Sequence, residues 1–187
     1  IMSGTPVRRV QHKPYLYTHE TPRHFLTPPF VKYIKVAEGC NHRCSFCVIP
    51  SLRGPYRSRD IDSVVAEARS LVANGLQEAV LVSQDTSSYG MDRYQRLCLA
   101  ELLYRLQEIK GLPWIRPLYL HPRNITPELV RAYTECPSVC HYIDVPLQHC
   151  NNAILRAMRR GVTREEITEK IQMLREAMPD CIIRTSF

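Results

Sequence analysis

Three cysteines stand close together in the first third of the chain. Cys40 and Cys44 are separated by three residues, and Cys44 and Cys47 by two. Thiolate sulfur is the donor that iron–sulfur clusters require, and three thiolates at this spacing could hold three irons of a four-iron four-sulfur cubane. The fourth iron would then have no protein ligand. The spacing therefore favours a cluster whose open iron binds another molecule.

Three other interpretations remain open from the spacing alone. A structural zinc site normally closes four ligands, and the missing ones could come from His42 or from a second pair, Cys136 and Cys140. An electron-transfer cluster would usually require a fourth cysteine. The thiols could also be inert, because free cysteine packs well in protein cores.

The triad lies directly after a short apolar run, Tyr33–Ala37, that is typical of a strand. Enzymes built on parallel barrels place their active sites at the carboxyl ends of the strands. Polar residues recur near the ends of the later predicted strands, namely Gln84, Asp85, Tyr89, His121, Asp144, Gln148, His149 and Arg184. Each alone is more often a loop cap than a ligand contact, but their shared location favours a common site near the triad.

The elements that would position these residues alternate between strands and helices. Apolar runs predict five strands, at Tyr33–Ala37, Ala79–Ser83, Ile115–Leu120, Tyr142–Val145 and Ile182–Thr185. Helical patterns cover Asp62–Ala73, Leu99–Ile109, a helix opening at Thr126 and Pro127, a short Asn151–Arg159, and a helix from a capping box at Thr163 to Ala177. We therefore predict an α/β fold, a partial parallel (βα) barrel that is truncated after its fifth strand.

The ends of the chain differ from its middle. Residues 1–30 are rich in proline and show no sustained period, so we interpret them as an interdomain linker before a core that spans residues 31–187. No covering helix follows the fifth strand. We therefore expect the core to be incomplete at its C-terminal end and the natural polypeptide to continue beyond Phe187.

Composition argues against a membrane or secreted protein. No stretch approaches the roughly 18 apolar residues that span a bilayer, and the N-terminus lacks a signal-peptide pattern. We predict a cytoplasmic location, with the thiols reduced. The net charge of +7 is a mild bias toward polyanionic partners. Arg53, Arg57 and Arg59 form a predicted basic loop, which is either a solvated charge run or a surface that attracts an acidic partner.

The five cysteines outside the triad are predicted to be buried small hydrophobic side chains rather than ligands. They are Cys98, Cys136, Cys140, Cys150 and Cys181.

Several further motifs carry a resemblance to a known family. They are Pro28-Pro29, the stretch Tyr33–Cys47, Ile49–Gly54, Gln84–Gly90, Leu120-His121-Pro122, Asp144–His149 and Arg184–Phe187. Together with the triad, these segments resemble the radical S-adenosylmethionine (radical SAM) methylthiotransferases. Within that family they are most similar to the branch that modifies an aspartate of a small-subunit ribosomal protein. The similarity extends over roughly residues 24–187.

The resemblance implies a cofactor set and a reaction. Cys40, Cys44 and Cys47 would be both the metal ligands and the catalytic centre, holding a 4Fe-4S cluster whose open iron chelates S-adenosylmethionine. Reductive cleavage would then give a 5'-deoxyadenosyl radical, while a second S-adenosylmethionine supplies the methyl group. A second 4Fe-4S cluster is expected in an N-terminal domain that this sequence lacks, so the core alone should not complete methylthiolation.

The resemblance also assigns a pocket and partners. Gln84, Asp85, Asp144, Gln148 and Arg184 would contact S-adenosylmethionine, and Phe46 would pack near the adenine or the cluster. The implied substrate is a small-subunit ribosomal protein, alone or in the ribosome, and an electron donor is required. The tRNA-modifying branch of the family remains an alternative. A zinc or electron-transfer module without radical chemistry is the alternative from a different class.

Overall fold

The computed structural model describes residues 15–24, 26 and 28–187. Much of the predicted linker, namely residues 1–14, 25 and 27, lies outside them. In the described part of the linker, residues 15–24 contain a turn but neither a helix nor a strand. The division between linker and core at residue 31 stays a prediction.

The described residues form strands and α-helices in near alternation. The strands are β1 (Val31–Lys35), β2 (Ala37–Glu38), β3 (Arg57–Ser58), β4 (Glu78–Val82), β5 (Trp114–Pro117), β6 (Tyr142–Asp144) and β7 (Ile182–Arg184). The helices are α1 (Ile49–Arg53), α2 (Ile61–Ala73), α3 (Leu99–Gln107), α4 (Pro127–Glu135), α5 (Asn152–Ala157) and α6 (Arg164–Ala177). None of these helices is long and apolar enough to cross a bilayer.

Five of the strands run parallel and form the wall of an open barrel. β1, β4 and β5 pair in that order, with Val31 opposite Glu78 and Glu78 opposite Trp114. β6 and β7 form a second parallel pair. A parallel bridge between Ile115 and Val139 connects the two groups. The predicted α/β fold with a parallel sheet is confirmed. Each of the five parallel strands begins and ends within three residues of its predicted position.

Three helices begin at or within one residue of their predicted starts, and a side chain caps the first turn of each. In α6, the Thr163 hydroxyl accepts from the backbone of Glu166, whose carboxylate accepts from the backbone of Thr163, so the predicted capping box is present. α4 has Pro127 in its first turn, after the capping hydroxyl of Thr126. Asp60 caps α2, which therefore begins one residue before the predicted start.

The core lies between the sheet and the helices that connect its strands. α3 illustrates the packing, since Leu99, Leu102, Leu103 and Leu106 all lie on its buried face. Removing a leucine side chain of this kind from water contributes about 1.5–3 kcal/mol. Burial of these side chains fixes where each strand ends, and so where the residues that follow each strand can meet.

The predicted basic loop is not a uniform charged surface. Arg59 is buried, and its Nη1 donates to Glu67 Oε2 at 2.6 Å and to the Lys35 carbonyl. Arg57 lies in β3, which pairs with β2 in an antiparallel ladder. The prediction is therefore wrong for Arg59, because no local sequence period reveals that its side chain packs against Lys35 and Glu67.

The cysteines outside the triad differ in exposure. Cys98, Cys136 and Cys181 are buried as predicted, and Cys140 is partly buried. Cys150 is exposed, so the prediction is wrong for this residue. Cys150 follows His149 at the start of a short loop that leads into α5. The helix α5 itself has only one buried residue.

Candidate active site

The cysteine loop, residues 38–47, begins at a backbone position that only glycine fits. Gly39 has φ +82°, and a Cβ there would lie 2.2 Å from the Pro55 carbonyl oxygen. The amide of Gly39 donates to Gln84 Oε1 at 2.8 Å, and the amide of Cys40 donates to the Gly54 carbonyl. The first half of the loop is therefore fixed against two other loops.

The second half of the cysteine loop docks on the C-terminal end of α5. The Ser45 amide donates to the Met158 carbonyl at 3.0 Å, and its hydroxyl donates to the Ala157 carbonyl at 3.0 Å. Carbonyls at the end of a helix have no partner within the helix, so these two bonds satisfy groups that would otherwise need water. The loop is held at both ends by long-range contacts.

The three thiols line one cavity of about 160 Å³. Cys40 is buried, Cys44 is partly buried and Cys47 is exposed. Burial raises the pKa of Cys40, a hydrogen bond from the His42 amide partly offsets this effect, and the charge of Asp85 adds to it. Among the described residues, no three His, Cys, Asp or Glu side chains already stand in the arrangement of a metal site. The thiols share a cavity but would have to turn toward one another to share a metal centre.

A stacked pair of histidines forms another wall. The rings of His42 and His121 lie 4.1 Å apart at 15°, and His42 Nε2 lies 2.6 Å from Asp85 Oδ2. Burial raises the pKa of Asp85, but hydrogen bonds from His42, Ser87 and Ser88 outweigh it, and the net pKa is lowered. Asp85 is therefore an ionised carboxylate that organises this wall through several donors.

His121 presents a buried donor without a protein partner. Burial, the nearby Arg160 guanidinium and His42 lower the pKa of His121 to about 3, so the ring is neutral at ordinary pH. Its Nδ1 accepts from the Arg123 amide at 3.3 Å, which places the proton on Nε2. Nε2 is buried and has no hydrogen-bond partner. Because the residue lines the cavity, this N–H group is available to a molecule bound there.

The structure brings some of the predicted pocket residues to this cavity. Phe46, Gln84, Asp85 and Gln148 line it together with the three cysteines. Asp144 and Arg184 do not line it. Asp144 instead accepts from the Tyr119 amide at 3.1 Å and from Arg184 Nη1 at 3.3 Å, so the pair supports a lining residue from behind.

Two other polar residues at strand ends face elsewhere. Tyr89 is buried in the core, where its hydroxyl donates to the Arg59 carbonyl at 2.7 Å. The ring of His149 does not line the cavity, and its Nδ1 accepts from the Asn151 amide at 2.8 Å. A position at the end of a strand was therefore insufficient evidence for these two.

Sequence patterns had not assigned several lining residues to the pocket. They are His42, Tyr119, Leu120, Pro146 and Arg160, whereas His121 was predicted to lie near the triad as a residue at a strand end. Tyr119 has φ +58° and Gln148 has φ +77°, a backbone region that residues with a side chain rarely occupy and that is enriched at functional sites. Arg160 follows α5 and lies 116 residues from the cysteine it approaches, so no local signal could reveal it.

Comparisons with known proteins agree with this geometry. The family model of the Radical SAM superfamily matches residues 34–186. The chain is 48% identical over 179 residues to a ribosomal protein uS12 methylthiotransferase of Desulforamulus reducens, covering 96% of the chain and 40% of that relative. For the same-named protein of Heliobacterium modesticaldum the identity is 46%, over 100% of the chain and 41% of the relative. The chain thus spans about two fifths of the length of these relatives.

Solved structures show the same fold at low sequence identity. The radical S-adenosylmethionine methyltransferase TsrM of Kitasatospora setae, with cobalamin and a [4Fe-4S] cluster bound, matches with a TM-score of 0.62 and 21% identity, over 83% of this chain and 28% of its own. The cobalamin-dependent radical enzyme OxsB matches with a TM-score of 0.65 and 13% identity, over 82% of this chain and 23% of its own. At these identities the likeness concerns the fold.

Proposed function

Since this chain belongs to the Radical SAM superfamily, we propose that it is the radical-generating core of a methylthiotransferase that modifies an aspartate of ribosomal protein uS12. The resemblance to that branch, noted from the motifs, is confirmed by relatives that are 41–48% identical over most of the chain. The observation that carries the proposal is the single cavity lined by Cys40, Cys44 and Cys47 beside the ends of parallel strands.

The residues present fit a cluster with one open iron. Thiolates are the ligands of such clusters, and the cavity lining includes three cysteines but no fourth. A bound cluster with S-adenosylmethionine on its open iron would supply the one-electron cleavage that starts the reaction. Because metal binding requires thiolates, loading of the site should release protons from the three thiols.

The chain's own residues would bind and orient the cosubstrate. Phe46 supplies an apolar surface, and Gln84 and Gln148 supply amide groups at the cavity wall. His121 supplies an N–H donor at Nε2. The His121 ring stacks on the ring of His42, which Asp85 holds in place through a hydrogen bond to His42 Nε2. The pair of Asp144 and Arg184 holds the strand end that carries Tyr119. These roles add His121, which was predicted to lie near the triad, to the proposed contacts of the cosubstrate. They assign Asp144 and Arg184 to support of the cavity wall instead of contact.

The proposed reaction also needs a source of sulfur and an electron donor. We propose that a second 4Fe-4S cluster in an N-terminal domain takes part in sulfur delivery, and that an external electron donor reduces the cluster held here. We propose uS12, alone or in the ribosome, as the substrate, and a substrate of this kind favours a cytoplasmic location.

The first test is anaerobic reconstitution of the chain with iron and sulfide, followed by electron paramagnetic resonance of the reduced protein. We expect a four-iron signal that changes when S-adenosylmethionine is added, because the cosubstrate would bind the open iron. A colourless protein that binds zinc and takes up no iron would contradict the proposal and support a structural zinc site.

The second test concerns the substrate. Replacing one hydrogen by a methylthio group adds about 46 Da to a protein. The uS12 of a strain without the gene should lack this added mass. The tRNA of the same strain should keep its modifications. Loss of a tRNA modification with unchanged uS12 would instead assign the chain to the tRNA-modifying branch.

A further inference from the structure

Arg160 is a buried cation in the wall of the cavity. Its side chain is 8% exposed, and the residue lines the cavity with the three cysteines. Its Nη2 donates to the Pro146 carbonyl, and its Nη1 lies 3.8 Å from Cys44 Sγ. No carboxylate of the described residues lies within 4.0 Å of its guanidinium, so the charge has no acidic partner there.

A buried guanidinium without a carboxylate is costly. Removing a charge from water costs several kcal/mol unless an opposite charge and hydrogen bonds compensate for it. One backbone carbonyl compensates for only part of this cost, and the nearest group that can carry a negative charge is the Cys44 sulfur. An anion beside Cys44 would therefore compensate for the positive charge of Arg160.

The backbone around Arg160 holds it in this position. Arg159 has φ +52°, a left-handed conformation that reverses the chain after α5, and the Arg160 amide donates to the Leu155 carbonyl. The same end of α5 accepts both hydrogen bonds of Ser45 from the cysteine loop. One short segment thus docks the loop and sets the guanidinium against the middle cysteine of the triad.

We propose that Arg160 is a positioning residue that donates an N–H···S hydrogen bond to the Cys44 thiolate and raises the reduction potential of the cluster bound by the triad. The inference rests on the proposed function, since it requires that Cys40, Cys44 and Cys47 hold a cluster. One-electron reduction adds one negative charge to the cluster, and the electron comes from an external one-electron donor. A cation beside a ligand sulfur stabilises the reduced form more than the oxidised form.

The test compares cluster potentials in the reconstituted 187-residue chain, with dithionite as the electron source and no S-adenosylmethionine. Arg160→Gln removes the charge and the forked donor, and Arg160→Lys keeps the charge. At a fixed solution potential we expect the ratio of reduced to oxidised cluster to fall about tenfold in Arg160→Gln, which equals about 59 mV for one electron. Arg160→Lys should lose clearly less, because most of the effect is electrostatic.

Arg156→Gln is the matched control, because Arg156 is an exposed arginine of the same segment. It changes the net charge equally but does not line the cavity, so its potential should equal that of the parent chain. Equal potentials in the parent chain, Arg160→Gln and Arg160→Lys would overturn the role of Arg160 and leave the cluster itself intact. A parent chain without any cluster would instead overturn the proposed function.

Failure of the glutamine variant to take up iron is also decisive. If Arg160→Lys loads fully while Arg160→Gln does not, the charge is needed to hold the anionic cluster, which supports the inference. If both variants lose iron equally, Arg160 acts through its bond to the Pro146 carbonyl as a structural residue, and the proposed electrostatic role is wrong.

Discussion

Two buried arginines divide the molecule into a region that stabilises the fold and a region arranged for a ligand. Arg59 lies between β1 and α2, and its charge is compensated by Glu67, the Lys35 carbonyl and Ser63. Arg160 is buried at the cavity, where a backbone carbonyl and a thiol are its partners. Both residues have an unpaired Nε, so this atom does not distinguish them. The two arginines differ in that Arg59 has a carboxylate partner and Arg160 has none among the described residues.

The difference indicates what each region is built to do. In the first region, Glu67 also pairs with Arg23 at 2.9 Å, so its buried carboxylate accepts from two guanidinium groups. In the second region, the Arg160 guanidinium has no carboxylate partner among the described residues, and the buried His121 Nε2 donor has no partner. A fold that leaves buried donors incomplete at a cavity bears a cost there that a bound anion can offset.

The largest effect should follow from removing a ligand in the second region. In Cys47→Ala, one corner of the cluster loses its thiolate, and we expect bound iron after reconstitution to fall by at least about tenfold. Because Cys47 is exposed, the unfolding free energy of the metal-free chain should change little. Iron analysis and urea denaturation provide the two measurements. Cys150→Ala removes another exposed thiol that does not line the cavity and should leave iron uptake unchanged.

Loss of the Glu67 carboxylate in the first region should have the next largest effect. Glu67→Gln leaves buried Arg59 without its carboxylate, which should lower the unfolding free energy by about 3–5 kcal/mol. The loss should be visible as a lower urea midpoint with an unchanged slope. Arg160→Gln should change the unfolding free energy of the metal-free chain by no more than about 1 kcal/mol, because the charge it removes had no carboxylate partner. An equal loss of unfolding free energy in Glu67→Gln and Arg160→Gln would show that the two regions do not differ in this way.

A surface pair provides the reference for that comparison. Arg96 and Glu101 form an ion pair in which both side chains are more than one third exposed. Glu101→Gln should therefore leave the urea midpoint of the chain nearly unchanged.

Sequence patterns captured the local part of this architecture. The five parallel strands and the capping box at Thr163 depend on neighbouring residues, and all were predicted within a few residues. The cavity itself was predicted in part, because a common strand end places Gln84 near the cysteine loop. Local order and parallel topology together were sufficient for these features.

The residues that distinguish the two regions depend on distant contacts. Arg59 was expected at the surface, yet its side chain is buried against Lys35 of β1 and Glu67 of α2. Arg160 meets Cys44 across 116 positions of the chain. A single sequence contains no period or motif for a contact of that kind, because burial and charge pairing arise only after the elements pack.

The buried His121 should make the stability of the second region depend on pH. Burial, together with the charges of Arg160, His42 and Arg123, disfavours protonation of His121, and Asp85 favours it, so the net pKa of His121 is about 3. The unfolded chain binds this proton at about pH 6.5, so the folded state is disfavoured as the pH falls. The unfolding free energy should therefore decrease by up to about 1.4 kcal/mol for each pH unit between about 6.5 and 3.

The measurement is urea denaturation of the metal-free chain between pH 6.5 and 4.5, a range that stays above the lowered pKa of Asp85. His121→Gln should flatten the pH dependence, because the titrating ring is gone. His24→Gln, which replaces an exposed histidine, should keep the slope of the parent chain. A slope that is the same in all three proteins would show that His121 titrates in the folded state as it does in the unfolded chain.

The smallest effect concerns the junction of the cysteine loop with α5. The Ser45 hydroxyl donates to the Ala157 carbonyl at 3.0 Å, and Ser45→Ala removes this bond while keeping the backbone bond to Met158. We expect a cost of about 1 kcal/mol, because one hydrogen bond is lost from an exposed side chain. Ser51→Ala is the control, since its bond to the Val48 carbonyl is local to α1. If docking on α5 positions the triad, Ser45→Ala should slow iron uptake more than Ser51→Ala at equal loss of stability; equal uptake would mean that the loop does not need this anchor to bind the cluster.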